Sequence, residues 1–117
     1  MTRRVLWVGC GRHAEQMLLP QLVRQDVEVV AFCDINEAAA VALARRYGVH
    51  RVDLDFRGAI ATLDVDIVGV AAGPAVHREV ALAALARGRH VFMEKPCGAT
   101  AADAAAIASA AEAAGRT

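Results

Sequence analysis

Lysine occurs once in this 117-residue chain, at Lys95, against twelve arginines. Cysteine is scarce as well. Cys10, Cys33 and Cys97 are an odd number set far apart, with no CxxC and no clustered histidines. That excludes a disulfide framework and a zinc site and leaves reduced, partly buried thiols. No apolar run approaches the roughly 18 residues of a membrane span, and MTRRVLWVG passes straight into a strand pattern. A cytoplasmic protein without a membrane partner is expected. Charge of neither sign dominates, since 13 basic and 13 acidic residues cancel. The balance speaks against a nucleic-acid footprint or an acidic tail, and 56% hydrophobic content speaks against disorder. A small molecule is the partner that remains. The arginine preference and the 27 alanines read as codon bias, which sharpens the question posed by a single lysine.

Short Val-rich runs bounded by turn residues predict strands at 5–9 (VLWVG), 27–33 (VEVVAFC), 66–72 (DIVGVAA) and 90–94 (HVFME), with a weaker one near 50–54. Their near-continuous apolar character suits a parallel sheet covered on both faces. Helical patterns fall between them. One spans 13–25, where Pro20 must kink the helix or restart it. A second spans 36–47, with Asn36 as N-cap and Gly48 as stop. A short one covers 56–63. The next, 76–87, places Val76, Val80, Ala83, Ala84 and Arg87 on one face before Gly88. The last runs from Thr100 to Ala114, with Asp103 completing a capping-box variant. The order βαβα(β)αβαβα predicts a doubly wound parallel α/β fold, a Rossmann sheet, with residues 1–117 as one dinucleotide-binding domain. The closing AGRT reads as a helix stop before a further strand, so the sheet is expected to lack its last strand here.

The turn VLWVGCGRHAEQ sets Gly9, Gly11 and Ala14 in the GxGxxG/A spacing between a strand and a helix. Gly9 permits the tight turn, Gly11 the close approach of a pyrophosphate, and Ala14 the packing of helix on strand. The helix start brings free N–H groups and partial positive charge, with Arg12 and His13 beside them. Asp34 ends the second strand 23 residues after Gly11, where a carboxylate accepts from both ribose hydroxyls of NAD and repels a 2′-phosphate. Arg12 keeps NADP open, and Ile35 stands where an adenine would lie. Methyltransferases using S-adenosylmethionine share these two features, so at this point both classes stand.

In an open α/β sheet the ligand crosses the carboxyl ends of the strands, which directs attention to AAGPAVH and MEKPCG. Pro74 stiffens the first loop and His77 opens the following helix, both candidate cofactor neighbours. Lys95 ends its strand on the ligand side and is held extended by Pro96. An ammonium can orient a reacting oxygen and exchange a proton with it, which a guanidinium cannot. That is a chemical reason for a lysine at 95, and Glu94 beside it, with the opposite strand facing, can pair with a nearby arginine or fix the nicotinamide ribose.

These segments together resemble the Gfo/Idh/MocA oxidoreductases. The resemblance rests on GCGRHAEQMLLPQL, Asp34, GPAVHREVALAALARGRHVFMEKP and TAADAAAIASAAEAAG, and spans essentially all 117 residues. It implies strand order 3-2-1-4-5-6, NAD or NADP as cofactor, and a hydroxyl-bearing substrate such as a sugar or cyclitol. It also implies that Lys95 is the catalytic lysine beside the nicotinamide and that Glu94 contacts the nicotinamide ribose. Ala72 stands where many relatives carry a threonine. Relatives continue through a last strand and an α/β domain carrying substrate contacts and an oligomer interface. The chain is therefore expected to be a fragment of a homo-oligomeric enzyme and not competent alone. The alternative is a non-catalytic dinucleotide-binding or sensor module that assembles with another chain.

Overall fold

The structure, a computed structural model, describes residues 2–93 and 100–116. Five parallel strands form one sheet: β1 (Arg3–Val8), β2 (Val27–Cys33), β3 (Arg51–Asp53), β4 (Ile67–Val70) and β5 (His90–Met93). Their spatial order is β3-β2-β1-β4-β5, the order that the resemblance implied for these strands. The chain leaves β1 in one direction and, after β3, crosses to the other side of β1. The switch between β1 and β4 opens a crevice at their carboxyl ends.

Side chains alternate across β1 and split the core in two. Leu6 and Val8 meet Val68, Val70, Ile60, Val80 and Ala84 on one face. Trp7 meets Phe32, Leu19, Leu43 and Ala44 on the other. Trp7 is fully buried, and its indole N–H donates to the Gly9 carbonyl at 2.8 Å. Its partner across the ladder is Gly69, where a Cβ would sit 2.5 Å from the indole Cε3. Glycine on β4 is thus the counterpart of the single tryptophan on β1, a pairing the linear pattern does not reveal.

The first helix differs from the expected 13–25 span. A π-helical segment, Ala14–Leu18, runs into α1 (Leu19–Leu22), and the widened turn is closed by Leu19 N–H donating to Ala14 O. Pro20 has no N–H and its ring would crowd a regular turn, so the wide turn gives it room and α1 restarts with Pro in its first turn. Next, α2 (Glu37–Tyr47) is capped as expected. Asn36 Oδ1 accepts from Ala39 N–H at 3.2 Å, and Gly48 closes it at φ +68. A short α3 (Phe56–Thr62) starts from Asp55, whose carboxylate accepts from Arg57 N–H. Proline at the first turn opens α4 (Pro74–Ala86), and α5 (Ala101–Ala114) starts where Thr100 Oγ1 accepts from Asp103 N–H at 3.1 Å. On α4, Val80 and Ala84 are buried as expected, while Val76 is 38% exposed because the first turn overhangs the crevice. Among the described residues no helix is long and apolar enough to cross a membrane.

Candidate functional site

The turn after β1 is built from backbone bonds. Gly9 N–H donates to Cys33 O at 2.9 Å, and Ala71 N–H donates to Val8 O at 2.9 Å, so the turn is held by both neighbouring strands. Gly9 sits at φ +98 and presses on the β4–α4 loop. A Cβ there would lie 2.7 Å from the Ala71 carbonyl carbon and closer still to its oxygen. Gly11 faces open space, with nothing within 4 Å of a Cβ built on it. Two glycines two residues apart therefore differ: Gly9 is needed by the fold, whereas no protein atom makes a packing demand on Gly11. Gly11, Arg12 and His13 are all exposed, and Glu15 N–H bonding to Gly11 O marks the start of the helical turns. N–H groups at such a start have no carbonyl behind them and suit an anion.

Asp34 lies just past β2, and its carboxylate ties the glycine turn to the loop that leads into α2. Oδ2 accepts from Cys10 N–H at 2.8 Å and Oδ1 from Asn36 N–H at 2.9 Å. Each oxygen retains a lone-pair site, so the carboxylate is fixed in position and still able to receive a hydroxyl. Below it, burial first and the Asp34 charge second push the Cys10 thiol up to about 12. Cys33 reaches about 12 through burial and then the charge of Asp53. Neither is a nucleophile at neutral pH.

Val8, Gly9, Cys33, Asp34, Ile35, Leu54, Phe56, Ala72 and Val76 enclose a cleft of about 230 Å³ at the carboxyl ends of β1, β2 and β4. Its walls are mostly apolar with one carboxylate, the character of a pocket for a flat heterocycle attached to a diol. Ile35 is 92% exposed at its rim, and such exposure of a large apolar side chain suits a lid over a ring. Leu54, Phe56 and Val76 are wall residues that the sequence reading missed. The signal was present for Leu54, because it follows the weak third strand at the same end of the sheet as Asp34.

His77 is placed differently from a cleft-facing contact. It is 2% exposed, and its Nε2 accepts the Ala72 N–H at 2.9 Å. It pins the β4–α4 loop from inside, and His77 N–H donates to Gly73 O to set the first turn of α4. Pro74 occupies that first turn. Glu94 and Lys95 lie outside the described residues, as does Cys97. Among the described residues no group of acidic, histidine or cysteine side chains could hold a metal.

A model of an oxidoreductase family with an NAD-binding Rossmann fold, Gfo/Idh/MocA, matches residues 3–117. This chain belongs to that family. The domain is its NAD-binding Rossmann domain, and the methyltransferase alternative falls. Inositol 2-dehydrogenase of Salmonella typhimurium is 42% identical over 78 residues, covering 66% of this chain and 23% of the relative. The structure of the WlbA dehydrogenase from Chromobacterium violaceum in complex with NADH and UDP-GlcNAcA superposes with a TM-score of 0.88 at 29% identity. That match covers 98% of this chain and 33% of the other. A 3-ketoreductase variant from Actinomadura kijaniata, in complex with TDP-benzene and NADP, gives a TM-score of 0.89 at 27% identity. It is covered to 37% by 99% of this chain. The chain thus spans between 23% and 37% of the length of these relatives.

Proposed function

We propose that this domain holds NAD in an oxidoreductase that transfers a hydride between nicotinamide C4 and a hydroxyl-bearing carbon of a sugar or cyclitol. The observation that carries the cofactor assignment is Asp34, fixed by two backbone N–H groups and lining the cleft beside the glycine turn. Gly11, Arg12 and His13 receive the pyrophosphate, and Asp34 accepts from the adenosine ribose. Ile35, with Leu54, Phe56 and Val76, sandwiches the adenine. His77 acts through Ala72, holding the loop of Gly73 and Pro74 against the cofactor's far half. When bound, the nicotinamide accepts or returns the hydride. Lys95 orients the reacting oxygen, offsets its developing charge and exchanges its proton, while Glu94 holds the second ribose. Sugar and cyclitol substrates are supported by the relatives' activities, and a homo-oligomer is the expected state of the whole protein.

A second reading, a non-catalytic module that assembles through its sheet edge, draws on β5 being an outer strand among those described, with Phe92 45% exposed on it. Titration with NADH and NADPH, read by energy transfer from Trp7, tests the cofactor assignment. NADH is expected to bind more tightly than NADPH, and Asp34→Ala to weaken NADH at least tenfold, the loss of one or more charge-assisted hydrogen bonds. A folded parent chain without saturable binding refutes it. In the full-length enzyme Lys95→Ala should lower kcat about 100-fold or more. Cofactor binding with no turnover of any polyol would favour the module.

A further inference from the structure

The wall residue Phe56 opens α3, a helix of seven residues whose buried anchors, Ala59 and Ile60, lie toward its middle. Phe56 itself is only partly buried against the core. Contacts beyond the core therefore help to set its ring. Arg57, the next residue, places its guanidinium carbon 4.6 Å from the centroid of that ring. Adjacent positions on a helix point about 100° apart, so the contact is no by-product of helix geometry. The Arg57 side chain has to turn back across the ring.

Arg57 is fixed at both ends. Its backbone N–H donates to Asp55 Oδ1 at 3.0 Å, and its Nη2 donates to Glu79 Oε2 on α4 at 2.6 Å. Glu79 is held in turn. Its Oε1 accepts from Arg78 Nη1 at 3.2 Å, and Arg78 Nε pairs with Asp103 Oδ1 at 2.9 Å in the first turn of α5. Arg57, Glu79, Arg78 and Asp103 thus form one alternating chain of charges across α3, α4 and α5. A lone exposed pair holds little, but a network in which the inner members have two partners each restricts every side chain further. At its α3 end this chain closes on an aromatic ring. One face of the ring is covered by the guanidinium, so Phe56 offers the cleft its edge or its opposite face. Neither Arg57 nor Glu79 lines the cleft, whereas Phe56 does.

We propose that Arg57 is a positioning residue for the adenine half of the cofactor, acting through the Phe56 ring and held in place by Glu79. The role rests on the cleft holding an adenine. A ring clamped by a cation presents one fixed surface to a base, and an exposed contact of this kind shifts an equilibrium about two- to fivefold.

The test titrates the 117-residue chain with AMP and, separately, with ribose 5-phosphate, which shares the sugar and phosphate and lacks the base, following amide shifts by proton–nitrogen NMR. The parent should bind AMP more tightly. Equal binding of the two refutes the adenine reading of the cleft, and the role of Arg57 with it. Arg57→Met, which keeps an apolar stem and loses the charge, should weaken AMP about two- to fivefold and leave ribose 5-phosphate unchanged. Glu79→Gln, outside the cleft, should weaken AMP in the same direction. In a Phe56→Leu chain the further change Arg57→Met should leave AMP affinity where it is, because the ring through which it acts is gone. Circular dichroism checks that each variant is folded. Three results overturn the proposal while sparing the adenine reading: AMP affinity unmoved by Arg57→Met in a chain that prefers AMP, an equal loss for ribose 5-phosphate, or an undiminished effect of Arg57→Met without the ring.

Discussion

Replacing Gly9 and Gly11 one at a time by alanine separates a fold requirement from a ligand requirement within a single turn. At Gly9 the backbone is at φ +98, a region costing a residue with a Cβ roughly 1–3 kcal/mol. The new methyl also enters the Ala71 carbonyl, and because its neighbour is backbone the β4–α4 loop must move, an overpacking cost of roughly 1–3 kcal/mol. Gly9→Ala should therefore lose about 2–6 kcal/mol, which for a domain of this size lowers Tm by roughly 8–24 °C. At Gly11 no atom lies within 4 Å of the added methyl and φ is not in the left-handed region, so stability should change by less than about 0.5 kcal/mol. Its methyl stands instead in the path of the pyrophosphate, and NADH affinity should fall about tenfold or more. Differential scanning calorimetry and Trp7 fluorescence titration read the two effects separately. Equal melting of Gly9→Ala and parent, or a Gly11→Ala chain that binds NADH like the parent, would refute the division of roles.

His77→Leu leaves the Ala72 N–H without its acceptor and should cost about 1–3 kcal/mol. It should also weaken NADH binding by loosening the loop, whereas His77→Gln, which retains an acceptor, should recover part of both; equal loss in the two variants argues against the hydrogen bond. Cys10 and Cys33, with thiols raised to about 12, should resist alkylation at pH 8 in the folded chain and react on unfolding. Their folded pKa values lie above the reference 9.0, so the unfolded chain releases these protons first. Stability from this source is whole below pH 9 and falls between pH 9 and 12, by up to about 1.4 kcal/mol per pH unit for each thiol. Urea midpoints across that range in the parent and in Cys10→Ala Cys33→Ala check the slope, which should flatten in the double variant.

Local pattern alone determined the order of strands and helices, the Asn36 and Thr100 caps, the glycine stops and the glycine turn facing Asp34. The caps, stops and element types depend on neighbours within a turn or on intrinsic backbone preferences, and the pairing of the glycine turn with Asp34 follows from the fixed spacing of a strand–helix–strand unit. Sequence could place Pro20 as a disturbance, yet only the folded helix showed a π turn accommodating it, since a wide turn and a kink relieve the same clash. Tertiary structure decided what depends on crossing the sheet. Gly69 is required by Trp7 because parallel strands 62 residues apart lie in register. His77 points inward to Ala72 because α4 is docked over β4, and Val76 faces the cleft for the same reason. Leu54, Phe56 and Val76 meet Ile35 only where three separate connections converge at the carboxyl ends of the strands.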